Sequence, residues 1–186
     1  MPALLLTPPA ADPLSLEDAK FFLRVDHDAD DVLIGSLIAA ARREVEIATR
    51  RVLVTQSWRI VLHRWPAARR VVSPLNPLGT LVAARVFDAE GEAQALDPGQ
   101  FRLDTASVPG LIDFSGANVP APGRVLAGIE LDVTAGYGDP EDVPAPLLQA
   151  IRLLLARAYE HRDAMAHDAL PDAVAALVAP FRVIAL

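Results

Sequence analysis

The sequence contains no cysteine. That excludes disulfide staples, thiolate nucleophiles and cysteine-based zinc sites, while leaving the redox compartment open. Long hydrophobic runs are also missing: none approaches the roughly 18 apolar residues needed to cross a bilayer. Leu4-Leu5-Leu6 is too short for the apolar core of a secretory signal and runs into Pro8-Pro9. These two absences predict a soluble chain with no membrane partner, made inside the cell. Motifs with a chemical mechanism are absent as well. There is no GxxxxGK[ST] or GxGxxG loop, no GxSxG serine and no HExxH pair. His27, His63, His161 and His167 show no pairing pattern with a serine or with one another. The expectation is therefore a non-enzyme, with no catalytic residue, no cofactor site and no metal site. A formal net charge of −7 and an aromatic content of 5% argue against a protein built to grip nucleic acid through its overall field or an aromatic ladder.

What is present is core material: 52% of the 186 residues are hydrophobic, enough for one domain or a domain with a sizeable insertion. Residues 1–13 are proline-rich and aperiodic, and read as an extended or mobile arm. Ser15 is placed to cap a short helix, with Asp18 three positions on and Leu16, Ala19 and Leu23 on one face. A second helix is predicted over 30–49, where Ile34, Leu37, Ile38, Ala41, Val45 and Ala48 recur at helical spacing. Gly35, Arg42, Arg43, Glu46 and Arg50 should face the other way. Beyond Arg51 the period becomes strand-like: Trp58, Ile60 and Leu62 alternate with Ser57, Arg59 and Val61. Further short strands are expected at 69–73, 80–87, 92–96, 101–103, 111–114 and 129–134, separated by glycine- and proline-marked turns. That spacing indicates a small antiparallel sheet or barrel rather than βαβ units.

The most apolar helix follows Gly136-Tyr-Gly138, after Pro140, Pro144 and Pro146, which suit a helix's first turn. Leu147, Ile151, Leu154, Leu155 and Ala158 share one face, and Leu148, Leu153 and Tyr159 widen it. Leu147, Ile151 and Leu154 should be buried within the subunit, whereas Leu148, Leu153 or Tyr159 are candidates to face a neighbour. The glycine turn resembles a phosphate cradle only superficially, since Asp139, Glu141 and Asp142 would repel an anion. A short helix at 172–178 and an apolar terminus, Phe181 to Leu186, close the chain. The fold class is α+β: 1–13 an N-terminal arm, 14–51 and 139–163 a discontinuous helical body, 52–138 a β-rich insertion, and 164–186 a C-terminal tail. That tail is either core or a docking arm.

Charge is unevenly distributed. Residues 42–70 hold eight arginines against Glu44 and Glu46, while residues 1–31 hold seven carboxylates against Lys20 and Arg24. Asp26-His27-Asp28-Ala29-Asp30-Asp31 lacks calcium-loop spacing, and reads as carboxylates capping the second helix. A partner interface is expected at Arg42, Arg43, Arg50, Arg51, Asp28, Asp30 and Asp31, one copy's acidic end meeting the next copy's basic face. The apolar terminus supplies Phe181, Val183, Ile184 and Leu186 as further contact candidates. The first alternative is a DNA-binding accessory protein that uses the basic segment 42–70 on phosphates; behind it stands an uncharacterised enzyme with a site assembled from distant residues.

Five segments, in order, resemble the head–tail connector (adaptor) proteins of long-tailed phages and phage-like gene transfer agents. They are LSLEDAKFFLRVDHD at 14–28, LIAAAR at 37–42, VTQSW at 54–58, VTAGYG at 133–138, and VPAPL at 143–147 continuing to YEHR at 159–162. The resemblance implies a helical core with a β-rich insertion, assembled as a ring of about twelve copies below a portal protein. It implies partners in the portal and in a stopper or tail-completion protein, and DNA that passes without sequence-specific binding. It also implies a place in the neck of a virion or phage-like particle after synthesis in the bacterial cytoplasm. No catalytic residues carry over.

Overall fold

The computed structural model describes residues 1–161 and 169–184. The chain divides into a β unit, residues 1–9 and 55–136, and a helical unit, residues 10–54 and 137–184. The class is α+β, as the sequence predicts.

The β unit is wholly antiparallel. Its larger sheet runs β1 (Ala3–Thr7), β2 (Gln56–Leu62), β8 (Ile129–Ala135), β4 (Leu78–Phe87), β5 (Ala93–Leu96), in that order across the sheet. A smaller sheet has the order β3 (Arg70–Val72), β7 (Leu111–Asp113), β6 (Arg102–Asp104). Strand β8 lies at the centre because it is apolar on one face and charged on the other, and both neighbours match it. Ile60 pairs with Leu131 and Trp58 with Val133 across β2, while Ala84 pairs with Leu131 and Val86 with Ile129 across β4. Ile60, Ala84, Val86, Ile129, Leu131 and Val133 are all buried. In the smaller sheet Val71 and Ile112 are buried, and the Trp65 ring packs 4.7 Å from Phe114 and 6.2 Å from Phe101.

On the other face of the larger sheet, strand alternation brings Arg59, Arg85, Glu130 and Asp132 together. Arg59 donates to Asp132 from Nε (2.7 Å) and Nη2 (3.0 Å), and Arg85 donates from Nη1 (2.7 Å). Arg59 also lies 3.1 Å from Glu130. Burial pushes the Asp132 carboxyl up, but the two guanidinium donors outweigh it and hold the group below the usual carboxylate range.

Two local features depart from the sequence reading. Residues 1–13 contain an edge strand, since β1 pairs antiparallel with β2 from Ala3↔Ile60 to Thr7↔Ser57. Strand β4 begins at Leu78, inside what reads as a turn. Gly79 permits that early start because the Thr134 side chain occupies the space a Cβ would need. Thr134 Oγ1 accepts the Thr80 N–H at 2.8 Å.

In the helical unit, α1 (Leu16–Leu23) starts at Ser15, whose hydroxyl accepts the Asp18 N–H at 3.0 Å. Helix α2 (Asp31–Thr49) and helix α3 (Ala145–Glu160) share the core. Ile34, Ile38, Ala41 and Val45 of α2 cluster with Leu147, Ala150, Ile151, Leu154 and Leu155 of α3. Helix α4 (Asp172–Val178) adds Val174 and Val178, and a 3-10 turn follows at Ala179–Phe181. Glu46 does not face outward as its spacing suggests: it is 7% exposed, and its Oε1 accepts the Leu53 N–H at 3.2 Å. The carboxylate binds the chain just past α2 back onto the helix.

The charged face of the larger sheet has a pH signature. A folded-state value below the unfolded one means that Asp132 contributes stability above about pH 4, the usual aspartate value, and loses it as pH falls through the lowered value. Asp132→Asn should cost about 2 kcal/mol at pH 7 by removing charge-assisted hydrogen bonds. Urea unfolding at a series of pH values checks this, and the gap between variant and wild type should close below about pH 4.

Candidate assembly surfaces

The basic segment is not one surface. Arg42, Arg43, Arg50 and Arg51 belong to the helical unit, whereas Arg59, Arg64, Arg69 and Arg70 belong to the β unit. Several are occupied within the chain. Arg42 lies 3.0 Å from Asp12, and Arg51 Nε donates to the Phe181 carbonyl at 2.6 Å. Arg59 belongs to the sheet quartet. Arg69 Nη2 donates to the carbonyls of Phe114 (3.0 Å) and Ala117 (2.7 Å). Arg43 and Arg50, by contrast, are exposed at the C-terminal end of α2. Arg43 reaches only to 3.7 Å from Glu46, and Arg50 adopts left-handed geometry (φ 56°) as its N–H caps the helix on Glu46 O.

The acidic cluster does something other than cap. Asp30 stands at the N-cap of α2, but its side chain makes no capping hydrogen bond. It accepts the Tyr159 hydroxyl of α3 at 2.5 Å instead. Asp28 and Asp31 both reach Lys20 of α1, at 2.6 and 2.7 Å. The Lys20 ammonium draws the Asp28 carboxyl below its ordinary range. A solvent-facing capping role predicted from local sequence thus gives way to ties among three helices. Sequence spacing could not show this, because Tyr159 lies 129 residues from Asp30.

Of the apolar candidates on α3, Leu147, Ile151 and Leu154 are buried. Leu148, Leu153 and Tyr159 are partly buried against the same cluster. The C-terminal segment is held as far as Val183. Phe181 packs on the core, its carbonyl accepts from Arg51, and the Val183 N–H donates to Thr49 O at 2.9 Å. Ile184 is 77% exposed, and Leu186 lies outside the described residues.

Among the described residues no group of three or more His, Asp or Glu side chains could hold a metal ion, and no helix is long and apolar enough to cross a membrane. His63 is engaged structurally, accepting the Ala127 N–H at Nδ1. The glycine turn leaves no room for an anion. Gly136 and Gly138 take φ of 134° and 140°, and the Asp142 carboxylate fills the space beside Gly138 and accepts the Asp139 N–H.

The polar clusters described above serve ties within each unit of this α+β chain. Residues 13–70 match the family of the phage gp6-like head-tail connector protein. The fold matches subunits of solved gene transfer agent assemblies, each alignment covering 100% of this chain and 97% of the other. These are the virion of the native particle (28% identity, TM-score 0.85), the neck of the empty particle with C6 symmetry (29%, 0.83) and the neck of the native particle with C12 symmetry (27%, 0.80). No curated protein matches the chain. These likenesses point the same way as the sequence resemblance to head–tail connector proteins.

The hold on the terminus separates two truncations. Truncating the exposed Ile184 side chain with Ile184→Ala should leave the unfolding midpoint unchanged. Phe181→Ala should lower stability by about 2 kcal/mol, less than a fully buried phenylalanine costs. Thermal melts of both variants check the pair.

Proposed function

We propose that this chain is a neck component of a phage-like particle, forming a ring of twelve copies beneath the portal. The observation that carries this reading is the near full-length likeness to neck subunits solved with C6 and C12 symmetry. In that role it extends the DNA channel and offers a platform for a stopper or tail-completion protein. It is made in the bacterial cytoplasm and taken up into the particle. The interface candidates of the helical unit divide accordingly. Arg43 and Arg50 are available to a neighbour, while Arg42 and Arg51 stabilise the subunit itself. Ile184 and the residues after it are the portion of the tail that docks, because the preceding residues already pack at home.

The DNA-binding reading has less support. It needs a basic surface, yet Arg42, Arg51, Arg59 and Arg69 are each engaged within the chain. A net charge of −7 adds general repulsion of a polyanion.

Mixing the purified chain with its cognate portal and measuring mass should give twelve copies per portal ring, with assembly weakening as salt rises. A mobility shift with duplex DNA at physiological salt should show no specific complex. A single copy bound per portal, or tight DNA binding without portal binding, contradicts the proposal.

A further inference from the structure

Helix α2 presents two unlike sides. On one side Gly35 and Ile38, with Leu14, Leu16 and Leu148, line an open groove of about 530 Å³. Gly35 gives the groove its depth, since a Cβ there would meet nothing within 4 Å. Asp18 and Glu141 stand exposed among its lining residues; Arg152 and Asp12 also line it, both half-buried, and Asp12 is already paired with Arg42. On the other side stands Ile47, 63% exposed. Twelve residues separate it from Gly35, so at about 100° per residue the two lie about 120° apart around the helix. Arg43 and Arg50, four residues before Ile47 and three after it, flank it on the exposed face, with Glu44 beside them.

We propose that the groove of one copy receives Ile47 of the next copy, with Arg43 and Arg50 set against Asp18 and Glu141. This rests on the ring reading above and names the contact that closes it. Three features favour a second copy as the occupant. The apolar centre and its basic flank match an apolar groove with acidic neighbours, the arrangement of a buried anchor with a charged rim. Knob and groove are different surfaces on different sides of one helix, so the contact is head-to-tail and repeats from copy to copy, closing into a ring when the rotation allows. The similar neck subunits are arranged with rotational symmetry of that kind, C6 and C12. Arg152 and Glu44 are the like-charge groups the contact must turn away from one another or pair across it.

The absence of cysteine provides a clean test. In one chain, positions 35 and 47 are about 18 Å apart along the helix and cannot cross-link within a subunit. With the portal-bound chain under oxidation, Gly35→Cys combined with Ile47→Cys should give a ladder of covalent oligomers above the dimer. Neither single variant should give one. A ladder stopping at the dimer, dimers from Ile47→Cys alone, or a cross-link to portal or tail protein would overturn the assignment. A second variant guards against misfolding: Gly35→Leu fills open space, so its melting temperature should not fall. Self-association should weaken at least about tenfold, the scale of losing one anchor. Normal rings from Gly35→Leu would sink the docking contact while leaving the proposed function intact. Failure of the wild-type chain to form any ring on the portal would sink the proposed function itself.

Discussion

The packing of α2 on α3 is the constraint on which the helical unit depends. Ile34, Ile38, Ala41 and Val45 bury one face of α2 against Leu147, Ile151, Leu154 and Leu155. Every other helical contact is added to that pair. Tyr159 donates to Asp30, so the end of α3 is tied to the start of α2. Lys20 joins α1 to Asp28 and Asp31, and α4 with Phe181 packs on the same cluster. A helix that spends one face on such a core leaves the opposite face for something else. That is where Arg43, Ile47 and Arg50 stand.

The two helices were legible because their apolar residues recur at i, i+3, i+4 and i+7 over several turns; the 30–49 reading is Asp31–Thr49 in the structure. Strand β8 was legible by alternation, and the short helix before Pro180 by its proline boundary. Strand β1 was not, for a physical reason. Leu4, Leu5 and Leu6 do not alternate, because an edge strand with exposed side chains on both faces has no burial pattern to impress on sequence. Glu46 escaped because what draws it inward is a backbone N–H beyond the helix end.

Charge was the least legible property. Composition shows a basic stretch and an acidic stretch, but partners at long range decide which charges remain for another molecule. Arg51 is taken by a carbonyl 130 residues away and Arg59 by an aspartate 73 residues away. Once those are set aside, the eight arginines of residues 42–70 reduce to a few exposed ones in each unit. The pair flanking Ile47 is the one placed around an exposed apolar side chain. The family resemblance came from the ordered set of short segments, which no count of charges would have supplied.

The proposed role works by repeated contact, through a surface that recognises a second copy of the chain. The most direct measurement is cryo-electron microscopy of the chain on its cognate portal, reconstructed without imposed symmetry. The account predicts twelve subunits with Ile47 of each buried in the neighbour's groove beside Gly35. A map with no ring, or with Ile47 facing solvent in every subunit, would contradict it.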